Sequence, residues 1–456
     1  MRLSTANLGL LPSQVQRFSY DRLAQKTGIV HLGIGAFHRA HQAWYTDLAM
    51  DAGERDWAIE GVSLRSADVA AQLNPQDGLY TVTERSREGS HTRLVGAVRS
   101  VAVATENAAR VAKLLAAAET RIVSLTVTEK GYCRGADGAL DFALAGDGSI
   151  YRFLAEALRQ RHQAKLAGLT LLSCDNLAGN GEQLQRLVSE YLEHKDRPLA
   201  AWFERECACP STMVDRIVPA TTSGDRAELA QTIGLEDAAA VVTEPFSQWV
   251  IEDRFAAGRP AWERVGAQLV SNVAPFEAAK LRMLNGAHSA LAYLGLLRGH
   301  TFVHEAVADL EIRPTVERLM RQEAAPSLIA APGQNLARYA DALLERFANP
   351  ALNHRLSQIA MDGSQKVPQR WLETLAFHSS RGQDCPALLT AVAAWLRHVR
   401  GDNGPVDDPR ARDLAEAWSV VGTAGIVDAV FGSAALIASD WTPGAQDRRI
   451  IENQLH

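Results

Sequence analysis

The run Gly28-Ile29-Val30-His31-Leu32-Gly33-Ile34-Gly35 constrains this chain more than any other segment, because an apolar stretch ends in glycines and gives way to Ala36 to Met50, which can be helical. That order is strand, tight turn, helix. Further short apolar runs follow at residues 58–64, 122–127, 169–173 and 239–242, separated by helix-compatible segments such as 108–118 and 151–167. Strands alternating with helices predict an α/β fold, a mostly parallel sheet covered by helices on both faces. From about Pro275 onward strand-like runs become scarce, and Ala, Leu, Arg and Glu dominate residues 276–297, 336–347 and 386–399. A mainly α-helical domain is expected there, with a boundary near Ser271 to Pro275 that gives domains 1–273 and 274–456.

Composition excludes several classes. A chain of 456 residues carries 47 Lys+Arg against 53 Asp+Glu, a net charge of -6, without a long basic run. A nucleic-acid binder normally presents a basic face, so a small molecule is the expected partner, with no oligomeric state assigned. The five cysteines include no CxxC pair and no disulfide-framework spacing, which fits a reducing, cytoplasmic setting. The N-terminal residues lack the apolar core of a signal peptide, being interrupted at Ser13, Gln14 and Gln16. The most apolar late stretch, Gly425 to Ala438, runs for about 14 residues around Asp428, short of the roughly 20 that span a bilayer, so no membrane association is expected.

Gly33-x-Gly35 between strand and helix is the opening of a dinucleotide-binding turn: glycine lets the backbone approach a pyrophosphate, and the helix start at Ala36 and Phe37 supplies N–H groups and the positive dipole end. His38 stands where a third glycine is usual, and Arg39 follows with a cation that could reach phosphate. A glycine turn for packing alone is the competing reading. The second strand ends near Arg65 and Asp68. An acidic residue after that strand, at about 20 residues beyond the glycines, binds the adenosine ribose and favours NAD over NADP. Asp68 lies later than that count and leans toward NAD, whereas Arg65 would favour a phosphate. His31, His38 and His41 invite a zinc reading, but no nearby cysteine or carboxylate completes a ligand set, so no metal site is expected.

The segment Lys280-Leu281-Arg282-Met283-Leu284-Asn285-Gly286-Ala287-His288 is the most informative. On an α-helix Lys280, Asn285 and His288 fall within an arc of roughly 140°, so a cation, an amide and an imidazole face one way, with Glu277 a turn upstream. Cys174-Asp175-Asn176 follows the run 169–173 and so lies at the C-terminal end of a strand, where α/β folds place ligands; Asn176 is there either a second amide donor or a helix cap. Glu129 and Lys130 lie at another strand end, as substrate contacts or as a solvated loop.

Taken together, IVHLGIGAFHRAHQAWYTD (29 to 47), IVSLTVTEKGYC (122 to 133), LLSCDNLAGNG (171 to 181), TMVDRIVP (212 to 219), EPFSQWVIED (244 to 253), PFEAAKLRMLNGAHS (275 to 289) and IAMDGSQKVPQR (359 to 370) resemble the long-chain polyol dehydrogenase family, which includes mannitol 2-dehydrogenases, D-arabinitol 4-dehydrogenases and D-mannonate oxidoreductases. The resemblance implies a metal-independent NAD(P)-dependent dehydrogenase, with an N-terminal Rossmann-type domain, a helical C-terminal domain and an active site between them. It further implies Lys280 as general base, Asn176 and Asn285 as an oxyanion hole, His288 as a substrate contact, Glu277 as a proton relay, and Asp215 and Lys366 as substrate contacts. Where the mannitol dehydrogenases carry a substrate-binding arginine, this chain has Gln358.

The chemistry fits independently of the resemblance. Removing hydride from a secondary carbinol also requires loss of the hydroxyl proton, for which a partly desolvated lysine can be tuned. Two preorganised amides can stabilise the developing alkoxide. For the substrate the resemblance speaks again: TVTEKGYC with Lys130 and QIAMDGSQKVPQR with Gln358 look closer to the fructuronate reductases than to the mannitol dehydrogenases, and Lys130, Lys366 and Arg370 could together hold a carboxylate, which favours D-mannonate and D-fructuronate over the polyols mannitol, D-arabinitol or sorbitol. A non-catalytic NAD(H) sensor would need neither the lysine nor the paired asparagines.

Overall fold

The computed structural model describes every residue of the chain except 136 and 434, and divides it into two compact units, Met1–Ala274 and Pro275–His456.

In the first unit the strands are β1 (Thr27–Leu32), β2 (Ala58–Ser63), β3 (Tyr80–Ser86), β4 (Gly89–Val95), β5 (Val98–Val103), β6 (Ile122–Leu125), β7 (Thr170–Ser173), β8 (Thr212–Asp215), β9 (Val241–Thr243), β10 (Gln248–Glu252) and β11 (Gln268–Val270). Five of them form a sheet in the order β5-β2-β1-β6-β7, every pair parallel. This is a Rossmann-like arrangement whose strand order reverses at β1, between β2 and β6, and in such sheets ligands bind outside the strand ends at that point. The apolar runs are continuous because both faces are covered. Val30, Leu32, Val123, Leu125 and Leu171 pack with Val111, Leu115, Leu154, Leu158 and Leu187 from the helices of residues 108–116, 150–163 and 180–195. Ile29, Ile59, Ile122 and Leu172 pack on the opposite side with Tyr45, Trp249 and Trp262.

Two sequence expectations differ from the structure here. The run 239–242 does not join the parallel sheet: β9 pairs with the β3–β4 hairpin, in the order β4-β3-β9, while β8, β10 and β11 form a third sheet. Short apolar runs carry no information about which edge they pair with, and the hairpin's alternating Thr and charged residues hid its strands. Nor is 36–50 one helix. It divides into Ala36–Ala40 and Gln42–Asp51 at His41, whose φ of -127° and ψ of -87° are non-helical. There Nε2 of His41 donates to the Gln248 carbonyl at 2.9 Å, and the ring meets Trp249 edge-on. His38 and His41 consequently do not share one helix face.

The second unit is helical, with no strand among its described residues. Its core gathers round the helices Gly286–Leu297 and Pro386–Arg400, with Tyr293, Trp371 and Trp395 buried. Residues 276–297 are not a single α-helix: Ala274–Ala279 leads into a π-helical turn, Lys280–Asn285, before α-helix resumes at Gly286. Two further π turns, Leu319–Ala324 and Pro368–Leu372, pack against it. Near the C-terminus, helix Ala411–Phe431 is long and apolar enough to cross a membrane by length and composition, a feature the reading of 425–438 did not anticipate; residue 434 of that stretch lies outside the described residues. Gly422, at φ +60° and ψ -166°, interrupts the helix, and Leu414, Trp418, Ile426, Val427, Val430 and Phe431 bury into the unit's own core.

Candidate active site

In the first unit the glycine turn sits at the C-terminal end of β1, at the reversal of strand order. Gly33 has φ +93°, and a Cβ there would lie 2.1 Å from the Thr126 carbonyl oxygen, so no side chain fits. Gly35 is open by contrast: a Cβ would meet only the Gly33 carbonyl, at 3.9 Å, which leaves room beside the backbone where the helix containing Ala36 and Phe37 begins. The side chains of His38 and Arg39 do not project from this turn. His38 is wholly buried, its ring stacked 3.4 Å from that of His31. Arg39 is also buried, with Nη1 donating to the Ile34 carbonyl at 3.4 Å and its guanidinium over the Tyr80 ring. The expectation that Arg39 reaches out to phosphate is corrected accordingly: burial against Tyr80 takes its charge into the core. Arg65 and Asp68 lie exposed after β2, with Asp68 in the first turn of helix Asp68–Leu73.

The loops after β6 and β7 are tied together by a residue the sequence reading passed over. The Asp175 carboxylate accepts from the backbone N–H groups of Val127 (3.0 Å) and Thr128 (2.8 Å) and from the Tyr132 hydroxyl (2.9 Å). Thr128 has φ +63°, an uncommon state for a β-branched residue, and those bonds hold it there. The short turn that follows carries Glu129 and Lys130, both exposed. Burial pushes the Asp175 carboxyl up, while the two backbone N–H groups and Tyr132 pull it back. Its neighbour Asn176 is exposed, whereas Asn180 is buried and bonded to the Asp175 and Thr212 carbonyls. An aspartate beside an asparagine at a strand end was the available signal. Asp215 is buried at the end of β8, and Arg216 beside it donates to the Ala40 carbonyl at 2.6 Å.

In the second unit the π turn carries Lys280 at its start and Asn285 at its end, and His288 follows one α-helical turn later. A π turn closes from i to i+5, so Lys280 and Asn285 lie nearer one another around the axis than α geometry gives; π turns recur at functional sites. Lys280 and Glu277 are half-buried; Asn285 and His288 are buried. The Asn285 Nδ2 and the His288 Nε2 are shielded from solvent with no hydrogen-bond partner. Buried polar groups are nearly always paired, so two orphans three residues apart mark a place where an oxygen-rich ligand completes the bonding. Burial first, then His354, Arg346, Arg370 and Lys280, holds His288 well below the usual histidine range, as a neutral imidazole.

The expectation that Lys366 and Arg370 both extend to a carboxylate is modified. Nη1 of Arg370 donates to the Ser289 hydroxyl at 2.7 Å and the Asn285 carbonyl at 3.3 Å, and burial lowers its guanidinium to about 10. It braces the Asn285 turn. Lys366 donates to the Ile359 and Met361 carbonyls and lies 4.0 Å from Asp362. Lys130 belongs to the first unit and these two to the second. Arg346 and His354, both near His288, were missed: Arg346 reads as part of an amphipathic helix and His354 lies in an irregular segment, so neither had a sequence signal. Among the described residues no group of three or more His, Cys, Asp or Glu side chains could hold a metal ion.

The buried imidazoles give a testable pH behaviour. Burial lowers His31 to about 3, and holds His38 and His288 well below the usual histidine range. As pH falls below the ordinary histidine value of about 6.5, the unfolded chain takes up protons that these three sites refuse, so each costs stability at up to about 1.4 kcal/mol per pH unit. In histidine-selective 13C NMR of the native protein, these three rings are expected to keep neutral chemical shifts down to pH 5; titration near 6.5 would contradict their burial.

Comparison with known proteins accounts for both units of the fold. Residues 27–264 match the mannitol dehydrogenase Rossmann domain and residues 272–438 the mannitol dehydrogenase C-terminal domain. The chain is 40% identical to the D-mannonate oxidoreductase of Escherichia coli (strain K12) over 446 residues, covering 93% of this chain and 92% of that protein. It is similar, at 35% identity and a TM-score of 0.87, to the Pseudomonas fluorescens mannitol 2-dehydrogenase solved as a ternary complex with NAD and D-mannitol, covering 100% of this chain and 96% of that one. A D-sorbitol dehydrogenase in substrate-free form matches at 33% identity and a TM-score of 0.88, again covering 100% and 96%. Both structural units are thus accounted for by the two halves of one group of oxidoreductases, and the chain belongs to the mannitol dehydrogenase family.

Proposed function

We propose that this protein is a metal-independent, NAD-dependent dehydrogenase that interconverts a secondary alcohol and a ketone on an open-chain sugar acid, with D-mannonate and D-fructuronate as the favoured pair. The observation that carries the reading is the pair of unpartnered buried atoms, Asn285 Nδ2 and His288 Nε2, on the segment that begins with Lys280. Such an arrangement suits a substrate rich in hydroxyl and carbonyl oxygen.

The dinucleotide fits the first unit: the open backbone at Gly35, with the helix start at Ala36 and Phe37, would take its pyrophosphate, and the exposed Asp68 its adenosine ribose, which favours NAD over NADP. His38 and Arg39 would contribute main chain only. When bound, the nicotinamide supplies or accepts the hydride. In the oxidative direction Lys280 takes the hydroxyl proton onto Nζ, and Glu277 exchanges that proton with solvent. In the reductive direction Lys280 returns it to the carbonyl oxygen, while Asn176 and Asn285 donate to the developing oxyanion. His288, neutral, bonds a neighbouring hydroxyl. Asp215 and Lys366 are assigned to the polyhydroxyl chain, and Glu129 and Lys130 to its far end.

An acidic substrate is supported by the cations Lys280, Arg346 and Arg370 around His288, by Gln358, and by the similarity to the D-mannonate oxidoreductase. A polyol is the second reading, supported by the similarity to mannitol 2-dehydrogenase and D-sorbitol dehydrogenase. NADH oxidation by the purified protein with D-fructuronate and with D-fructose separates them. At neutral pH in EDTA, kcat/KM for fructuronate is expected to be about a hundredfold higher, or about 2.7 kcal/mol, with NADPH a poorer donor. Preference for fructose would make the protein a polyol dehydrogenase, and loss of rate in EDTA would contradict metal independence.

A further inference from the structure

We infer that His354 is a substrate-contacting residue that sets specificity together with His288, reading the hydroxyl groups next to the acidic end of the substrate. Its ring stands edge-on to that of His288, with centroids 5.3 Å apart and an interplanar angle of 86°. Each ring has a nitrogen shielded from solvent without a partner: Nε2 in His288 and Nδ1 in His354. With the Asn285 Nδ2 they make three unsatisfied polar atoms on two chain segments. One such atom is a defect that a fold tolerates; two on a single ring pair, with a third three residues before His288, point to the lining of a ligand site.

The main chain holds His354 independently of its imidazole. Asn353 before it is left-handed, at φ +47°, and the His354 carbonyl accepts from the Val303 N–H at 3.0 Å. The ring therefore contributes no hydrogen bond through Nδ1 to the fold that places it. On its other side His288 leans on Phe347 at 4.6 Å, and Arg346, the residue before that phenylalanine, brings positive charge to the same ring. A neutral imidazole can both donate and accept, which suits hydroxyl groups, and the flanking guanidinium suits a carboxylate beyond them. Asn285 and His288 are assigned to the reacting end of the substrate, so His354 lies one side chain further along it.

This inference rests on the proposed dehydrogenase reading and is tested so that the two fail separately. Wild type, His354→Ala and His354→Gln are compared for kcat and KM on D-fructuronate and D-fructose, with NADH affinity by fluorescence and a thermal melt as controls. His354→Ala is expected to raise KM for fructuronate ten- to fiftyfold, to change kcat less than threefold, and to leave NADH affinity within twofold. His354→Gln, which keeps a donor and an acceptor, is expected to recover at least a third of the lost kcat/KM. An unchanged KM, or an equal fall in kcat on both substrates with a lowered melting temperature, would overturn the contact. Should wild type turn over only the polyol, the acidic-substrate reading fails, while the His354 contact is still decided by the KM for that polyol.

Discussion

Substituting Lys280 with alanine should lower kcat by roughly 10²- to 10⁴-fold, the range for removing a general base, while the protein still binds NADH. The lysine is half-buried at the start of a π turn, three residues after Glu277, the side chain assigned to exchange its proton with solvent. Stability should change little, because the apolar packing of this segment comes from Met283, Leu284 and Ala287 rather than from the Lys280 side chain. A small primary amine in the medium should restore part of the rate, with a pH profile that follows the amine's own pKa. A variant that kept wild-type kcat within tenfold, with no response to amine, would remove Lys280 from proton transfer and undo the mechanism.

The second large effect is expected at Asn285. Asn285→Ala should reduce kcat by about 10²- to 10³-fold, a loss of roughly 3 to 4 kcal/mol of transition-state stabilisation, with a smaller change in KM. An amide donor acts most strongly where the negative charge develops, and this Nδ2 is already oriented, dry and free of any internal partner. For that reason the truncation sacrifices no internal hydrogen bond from Nδ2. The neighbouring brace, from Arg370 to the Asn285 carbonyl, is a main-chain contact and survives it. Pre-steady-state hydride transfer is the decisive measurement. A raised KM with unaltered transfer rate would make Asn285 a binding residue rather than a stabiliser of the oxyanion.

The contrast between the two asparagines shows how far local pattern reaches. Asn176 and Asn180 stand in one short run, DNLAGN, yet one is exposed and the other buried between β7 and β8 with its amide bonded to carbonyls at 3.0 and 2.9 Å. Nothing in the run itself separates them. At Lys280 the residues were drawn on an α-helical wheel, whereas Lys280–Asn285 is a π turn that packs against two others, Leu319–Ala324 and Pro368–Leu372. At Arg39 a cation next to a glycine turn suggested phosphate; the fold instead buries it over Tyr80.

What the sequence determined by itself is local. The strand, the glycine turn and the helical character of the segment after it, at 28–50, follow from β propensity and from the conformational freedom of glycine. The alternation of apolar runs and amphipathic segments fixes a parallel sheet covered on both faces. What tertiary structure decided is everything set by partners distant in sequence. The pairing of β9 with a hairpin, the clamp by Asp175 on the strained Thr128, the break at His41 against Gln248 and Trp249, and the approach of His354 to His288 all join residues far apart in the chain. Periodicity reports which face of an element is buried, not what buries it. The charge state of His288 follows the same rule, since it is set first by burial and then by His354, Arg346 and Arg370, which become neighbours only when the chain folds.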